Sequence, residues 1–137
     1  MAGIAGSLIA AALPLDDLAQ ALKAAQLPPV VVPMIIVGFM TVCGQLAMNS
    51  VLSATIIASV LPAPLLLGAD PSLVAASYMI GWGITVSSSP FSLSTLMVAN
   101  IHGSSPRTVA YGWNRRFVPL AILFVASYMG VISYFLS

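Results

Sequence analysis

Two stretches of hydroxyl and amide side chains interrupt otherwise apolar sequence: Asn49-Ser50-Val51-Leu52-Ser53-Ala54-Thr55 and Thr85-Val86-Ser87-Ser88-Ser89-Pro90. A serine nucleophile needs a base within hydrogen-bond reach, and neither stretch holds a histidine or a carboxylate, so the chain does not read as an enzyme. What these residues can do is bind. A new helix follows each interruption, and its first turn offers unpaired N–H groups at the positive end of the backbone dipole, an anion site that needs no charged side chain. Unwound backbone also turns carbonyl oxygens toward a sodium ion, and interrupted helices meeting at mid-membrane depth are a recurrent design in transporters.

The surroundings explain why such interruptions matter. Of 137 residues, 60% are hydrophobic and only 5% charged, whereas a soluble domain carries about a quarter charged residues to wet its surface. Asp16, Asp17 and Lys23 lie near the start, Arg107, Arg115 and Arg116 near the end, and Asp70 is the only charge between Ala24 and Pro106. The composition therefore predicts an all-α membrane protein. A net charge of +1 gives no clustered basic surface for nucleic acid. Cys43 is alone and can form neither an internal disulfide nor a multi-cysteine metal site, so no cofactor is expected beyond sodium as a coupling ion.

Residues 1–28 read as a preface: an apolar stretch from Gly3 to Leu13, too short to span, and an amphipathic interfacial helix with Leu15, Leu18, Leu22 and Ala25 on one face. The transport unit is expected over 29–137. Pro29 to Met48 is long enough for about 30 Å of helix, but Ile56 to Leu67, with Pro62 and Pro64, is short for a crossing. A re-entrant helical hairpin over 29–67 with a polar tip at 49–55 fits this pattern. Asp70 before Pro71 reads as a helix cap. The segment 71–101 should be one membrane helix interrupted by Gly81-Trp82-Gly83 and then by Thr85 to Pro90, because Pro90 lacks an N–H and biases Ser89 away from helical angles. A break in hydrocarbon leaves backbone groups unpaired unless protein or a wet cavity satisfies them.

His102 to Arg107 reads as a polar loop, with the lone histidine a loop residue, and 117–136 is a last span. The methionines in the apolar runs read as packing, and Tyr111 and Trp113 beside the arginines as interface anchors. Arginines confined to the segment Arg107–Arg116 place that segment in the cytoplasm and the C-terminus outside, as in a multi-pass protein of the cell inner membrane.

The hairpin from Val30 to Leu67, its polar tip with Pro62 beyond it, and Gly81-Trp82-Gly83-Ile84-Thr85-Val86-Ser87-Ser88-Ser89-Pro90-Phe91 resemble the second inverted repeat of the divalent anion:sodium symporters and the wider ion transporter superfamily. That family carries Ser-Asn-Thr at the hairpin tip and a Ser/Thr-Pro segment in the unwound helix. Here Asn49-Ser50 and Ser53-Ala54-Thr55 divide the tip's residue types between them.

The resemblance implies half of an inverted-repeat, elevator-type secondary transporter that moves a small organic anion, a carboxylate, coupled to sodium or protons. Its substrate residues would be Asn49, Ser50, Ser53, Thr55, Ser87, Ser88, Ser89 and Pro90, and its ion residues Ser53, Ala54, Thr55, Thr85 and Ser87. Besides lipid and substrate, the implied partner is a complementary N-terminal repeat, on the same longer chain or a separate subunit, within an oligomer. The alternative is a small multi-span membrane subunit or assembly factor whose polar breaks hold helices together.

Overall fold

The computed structural model describes residues 30–61 and 69–136, with Gln20, Ala24 and Pro28 as isolated positions. The expected short helix and amphipathic helix of 1–28 therefore lie almost entirely outside the described residues, as does the stretch 62–68. Among the described residues every regular element is helical.

Helix α1 (Val31–Gln45) opens after Pro28, whose carbonyl accepts from Val31 N–H at 2.9 Å. Pro33 falls in its first turn, where a missing N–H costs nothing. Helix α2 (Ser50–Val60) is capped by Asn49, whose Oδ1 accepts from Val51 N–H at 2.8 Å. The two helices pack together, so a helical hairpin is present, but its turn is Leu46 to Asn49. Ser50 to Thr55, expected at the tip, form the first turns of α2. Their hydroxyls suit that position: Ser53 donates to Asn49 O and Thr55 to Val51 O, both one helical turn back.

Helix α3 (Pro71–Ser88) begins at the Asp70 cap, with Pro71 in its first turn. Asp70 Oδ1 accepts from Ser72 N–H at 2.8 Å and also from the Ser72 hydroxyl. Helix α4 (Leu93–Ile101) restarts after Ser92, which accepts from Thr95 N–H. The segment 71–101 is thus broken at Ser89–Ser92 and nowhere earlier. Gly81-Trp82-Gly83, expected as a second interruption, is continuous helix. Gly81 serves packing instead: a Cβ there would stand 3.1 Å from Met40 Cβ and 3.4 Å from Val37 Cα.

The expected polar loop, His102 to Arg107, is a turn whose last two residues are already helical; a π-helical segment (Thr108–Trp113) follows it, and α5 (Phe117–Leu136) covers the residues of the expected last span.

Helix α1 lies at the centre. One side joins Val32, Ile36 and Met40 to Ile57 of α2 and Val74 of α3; the other joins Val37 to Leu73 and Ile84 of α3 and to Val125 and Met129 of α5. Only a stripe of α5 at helical spacing, Val125, Met129 and Ser133, is buried. Phe124 and Phe135 on other faces are more than 70% exposed, an apolar surface that water does not favour. Residues 117–135 form one helix long and apolar enough to cross a membrane; α1 and α2 are apolar but shorter.

Candidate functional site

The α1–α2 turn and the α3–α4 break lie on opposite walls of one cavity of about 350 Å³, within the range of small-ligand pockets. Gly44, Ala47, Met48, Asn49 and Ser50 form the first wall; Thr85, Val86, Ser89, Phe91, Ser92, Leu93 and Ser94 form the second. No ionisable side chain lines it.

Two devices bring the walls together. The first is a close approach at Gly44: a Cβ there would lie 2.2 Å from Thr85 Cγ2, so only glycine lets α1 and α3 meet at this point. The second is a pair of hydrogen bonds. Thr85 Oγ1 donates to Met40 O at 3.0 Å, and Ser89 Oγ donates to Gly44 O at 2.6 Å; both hydroxyls are buried. These bonds satisfy α1 carbonyls near its C-terminal end and tie the break to the turn.

The break itself is also satisfied from within. Ser89 Oγ accepts from Phe91 N–H, Ser92 Oγ accepts from Thr95 N–H and donates to Thr95 Oγ1, and Ser94 Oγ donates to Val86 O at 3.0 Å. Unwound backbone in a low-dielectric setting requires such substitutes.

Four helix ends meet at the cavity. Helices α2 and α4 begin there, presenting first-turn N–H groups and positive dipole ends; α1 and α3 end there, presenting carbonyls and negative ends. Among the described residues, Asn49 Nδ2 and Ser50 Oγ form no hydrogen bond, and both stand at the cavity wall. They are donors available to an anion, with the first-turn N–H groups of α2 and α4 behind them.

The predicted site residues are divided by this geometry. Asn49, Ser50, Thr85 and Ser89 line the cavity; Ser53, Ala54, Thr55, Ser87, Ser88 and Pro90 do not. Ser53 is fully buried among helices, and Pro90 is buried in the turn of the break. Ser87 donates to Gly83 O and its carbonyl accepts from Asn114 Nδ2 at 2.7 Å. Ser88 faces a second cavity behind the break. Gly44, Ala47, Ser92 and Ser94 were not foreseen in the sequence. Ser92 could have been, because a serine two residues after a proline and three before Thr95 is a helix-start signal.

Among the described residues no three of His, Cys, Asp or Glu come together as a metal site. Comparison of the chain with protein-family models, curated proteins and solved structures finds no match. The resemblance to the symporter repeat therefore stands on the residues quoted for it.

Proposed function

We propose that this chain is half of an elevator-type secondary carrier, embedded in the cell inner membrane, that binds a small organic anion between the α1–α2 turn and the α3–α4 break. The observation that carries this reading is the single cavity on which both interruptions open. In it α1–α2 is the re-entrant hairpin, α3–α4 the discontinuous membrane helix, α5 the last span, and the arginine segment 107–116 the cytoplasmic side.

Asn49 and Ser50 orient the carboxylate, and the starts of α2 and α4 stabilise its charge. No basic side chain lines the cavity, so an anion entering it leaves an uncompensated charge in a low-dielectric setting. A cation bound with it removes that charge, which is the physical reason for coupling to sodium or protons. The carbonyl ends of α1 and α3 supply the cation's side of the site. A complementary repeat, on a longer chain or a second subunit, completes the carrier.

The test is uptake of labelled small carboxylates into vesicles reconstituted with the intact protein, with and without inward sodium and proton gradients. Asn49→Ala and Ser50→Ala each remove a donor to a charged ligand and should weaken apparent affinity about tenfold. Gradient-driven uptake that neither variant alters would remove this cavity from the path.

A membrane subunit without transport of its own is the second reading, and the bonds from Thr85 and Ser89 favour it. Their protons are committed to α1 carbonyls, as in interhelical hydrogen bonds that merely hold membrane helices together. The uptake measurement separates the two readings, since a subunit of this kind yields no gradient-dependent uptake with any carboxylate.

A further inference from the structure

Behind the break, on the side away from the first cavity, lies a second one of about 440 Å³ between the end of α1, the end of α3, the π-helical segment and the start of α5. Consecutive residues divide between them: Ser89 opens on the first cavity and Ser88 on the second. Much of the second is apolar, with Ala110, Val118 and Pro119 in its walls, and Arg115 is its one charged lining residue.

Its polar wall is fixed. Tyr111 OH donates to Gln45 Oε1 at 2.9 Å, and Gln45 Nε2 donates to Ser88 Oγ at 3.1 Å. Asn114 Nδ2 is held by Ser87 O. Arg115 is held by nothing: among the described residues its guanidinium has neither an ion pair nor a hydrogen bond, and it is exposed. Asp70, the one described acidic residue, begins α3 at its far end, about 27 Å of helix away from Ser88.

The electrostatics around Arg115 call for an anion. Arg115 and Arg116 directly precede α5, whose first turn contains no acidic residue. Positive side chains at a positive helix end are the reverse of the favourable arrangement. The apolar lining continues through Val118 and Pro119 onto the exposed apolar surface of α5, where Leu120 is 63% exposed. Half-exposed Tyr111 and Trp113 flank the arginine, the residue types that gather at membrane–water interfaces.

We infer that the second cavity binds the phosphate headgroup of an anionic phospholipid, with the phosphate on Arg115 and the upper acyl chain along Val118 and Pro119. A phosphate needs a planar, multi-donor cation, which arginine provides. An acyl chain needs the apolar wall, which a soluble phosphate does not. The inference rests on the chain being membrane-embedded but not on transport, and its test reads lipid retention alone, so failure of the carrier reading leaves it intact.

The full chain is exchanged into bilayer discs of equal phosphatidylglycerol and phosphatidylcholine, released, and its retained lipid identified by native mass spectrometry. Phosphatidylglycerol should be retained about fivefold over phosphatidylcholine, the preference that one basic residue near an anionic surface supplies. Arg115→Gln should bring the ratio to about one, and Arg115→Lys should keep part of it. Arg116→Gln, the same charge change one residue on and outside the cavity lining, should leave most of the preference. Circular dichroism of each variant checks that the helices persist. Equal losses in Arg115→Gln and Arg116→Gln would reduce the effect to general basic attraction and overturn the site. Displacement of the lipid by equimolar glycerol phosphate would assign the cavity to a soluble phosphate ester instead, and absence of any lipid preference would leave no such site.

Discussion

Asp70 and Gly44 are each fixed by a single local demand. At Asp70 the demand is a cap. The Ser72 hydroxyl and then the Ser72 backbone N–H bond its carboxylate and hold its pKa below the ordinary aspartate value of 3.8. A carboxyl whose pKa is lower folded than unfolded stabilises the fold above the unfolded value and loses that contribution as pH falls through the folded one. Carboxyl carbon NMR of the protein in micelles should therefore give Asp70 a midpoint below 3.8, and Asp70→Asn should remove the acid-induced fraying of the start of α3. A midpoint at or above 3.8 would mean that the cap is not formed in solution. At Gly44 the demand is space. Gly44→Ala places a Cβ 2.2 Å from Thr85 Cγ2, an overlap that should cost about 1–3 kcal/mol. Thr85→Ser deletes that same methyl and keeps the hydroxyl bonded to Met40 O. The double variant should then be more stable than the sum of the single losses predicts, by about 1 kcal/mol in an equilibrium unfolding cycle. Strict additivity would place the contact elsewhere.

Helix ends decide what the sequence made legible. Both α1 and α4 stop in the same way, on a residue in the left-handed region with paired bonds to the last turn. In α4 these are Gly103 N–H to Asn100 O and Ser104 N–H to Ala99 O; in α1 they are Ala47 N–H to Gly44 O and Met48 N–H to Cys43 O. Gly103 announces its stop, because glycine alone takes φ near +61° without strain. Ala47 at the same φ announces nothing, and for that reason the hairpin turn reads three residues too late, at the hydroxyl cluster that is in fact the first turns of α2. The break at Ser89–Pro90 was legible because proline forbids the alternative. The continuity through Gly81-Trp82-Gly83 was not, since whether a glycine breaks a helix or admits a neighbour depends on what lies opposite, here Met40 and Val37. Nor could the pattern show that Ser88 and Ser89 open on different cavities. Ala47→Gly should relieve the left-handed strain and, after the added freedom of the unfolded chain, stabilise the protein by about 0.5–1 kcal/mol. Denaturant unfolding in detergent measures it, and a loss of stability would mean that the turn does not take this form.

For the molecule as a whole, the decisive quantity is where water reaches. Among the described residues one helix is long and apolar enough to cross a membrane and two shorter ones are apolar; in lipid, such a chain must either keep its broken backbone wet or bury it against protein, and the cavity between turn and break predicts the first. Cysteine chemistry can read this directly, because Cys43 is the only cysteine and is buried. In sealed right-side-out vesicles holding the full chain, a membrane-impermeant cationic thiol reagent should leave the wild type unmodified. Ser94→Cys places a thiol on the cavity wall and should react with the reagent; Leu123→Cys, on the exposed apolar face of α5, should react only with a lipid-soluble maleimide. In the orientation proposed above, with the arginine-bearing segment on the interior side, Arg107→Cys should react with the impermeant reagent only after the vesicles are opened. A small carboxylate that slows labelling of Ser94→Cys, and does so more strongly with sodium present, would join the wet cavity to the proposed ligand and its coupling ion. Protection of Ser94→Cys from the reagent in opened and sealed vesicles alike, with Leu123→Cys behaving as expected, would mean that the two interruptions pack against each other dry. The hydroxyls of Thr85 and Ser89 would then be interhelical fasteners, and the chain a membrane subunit.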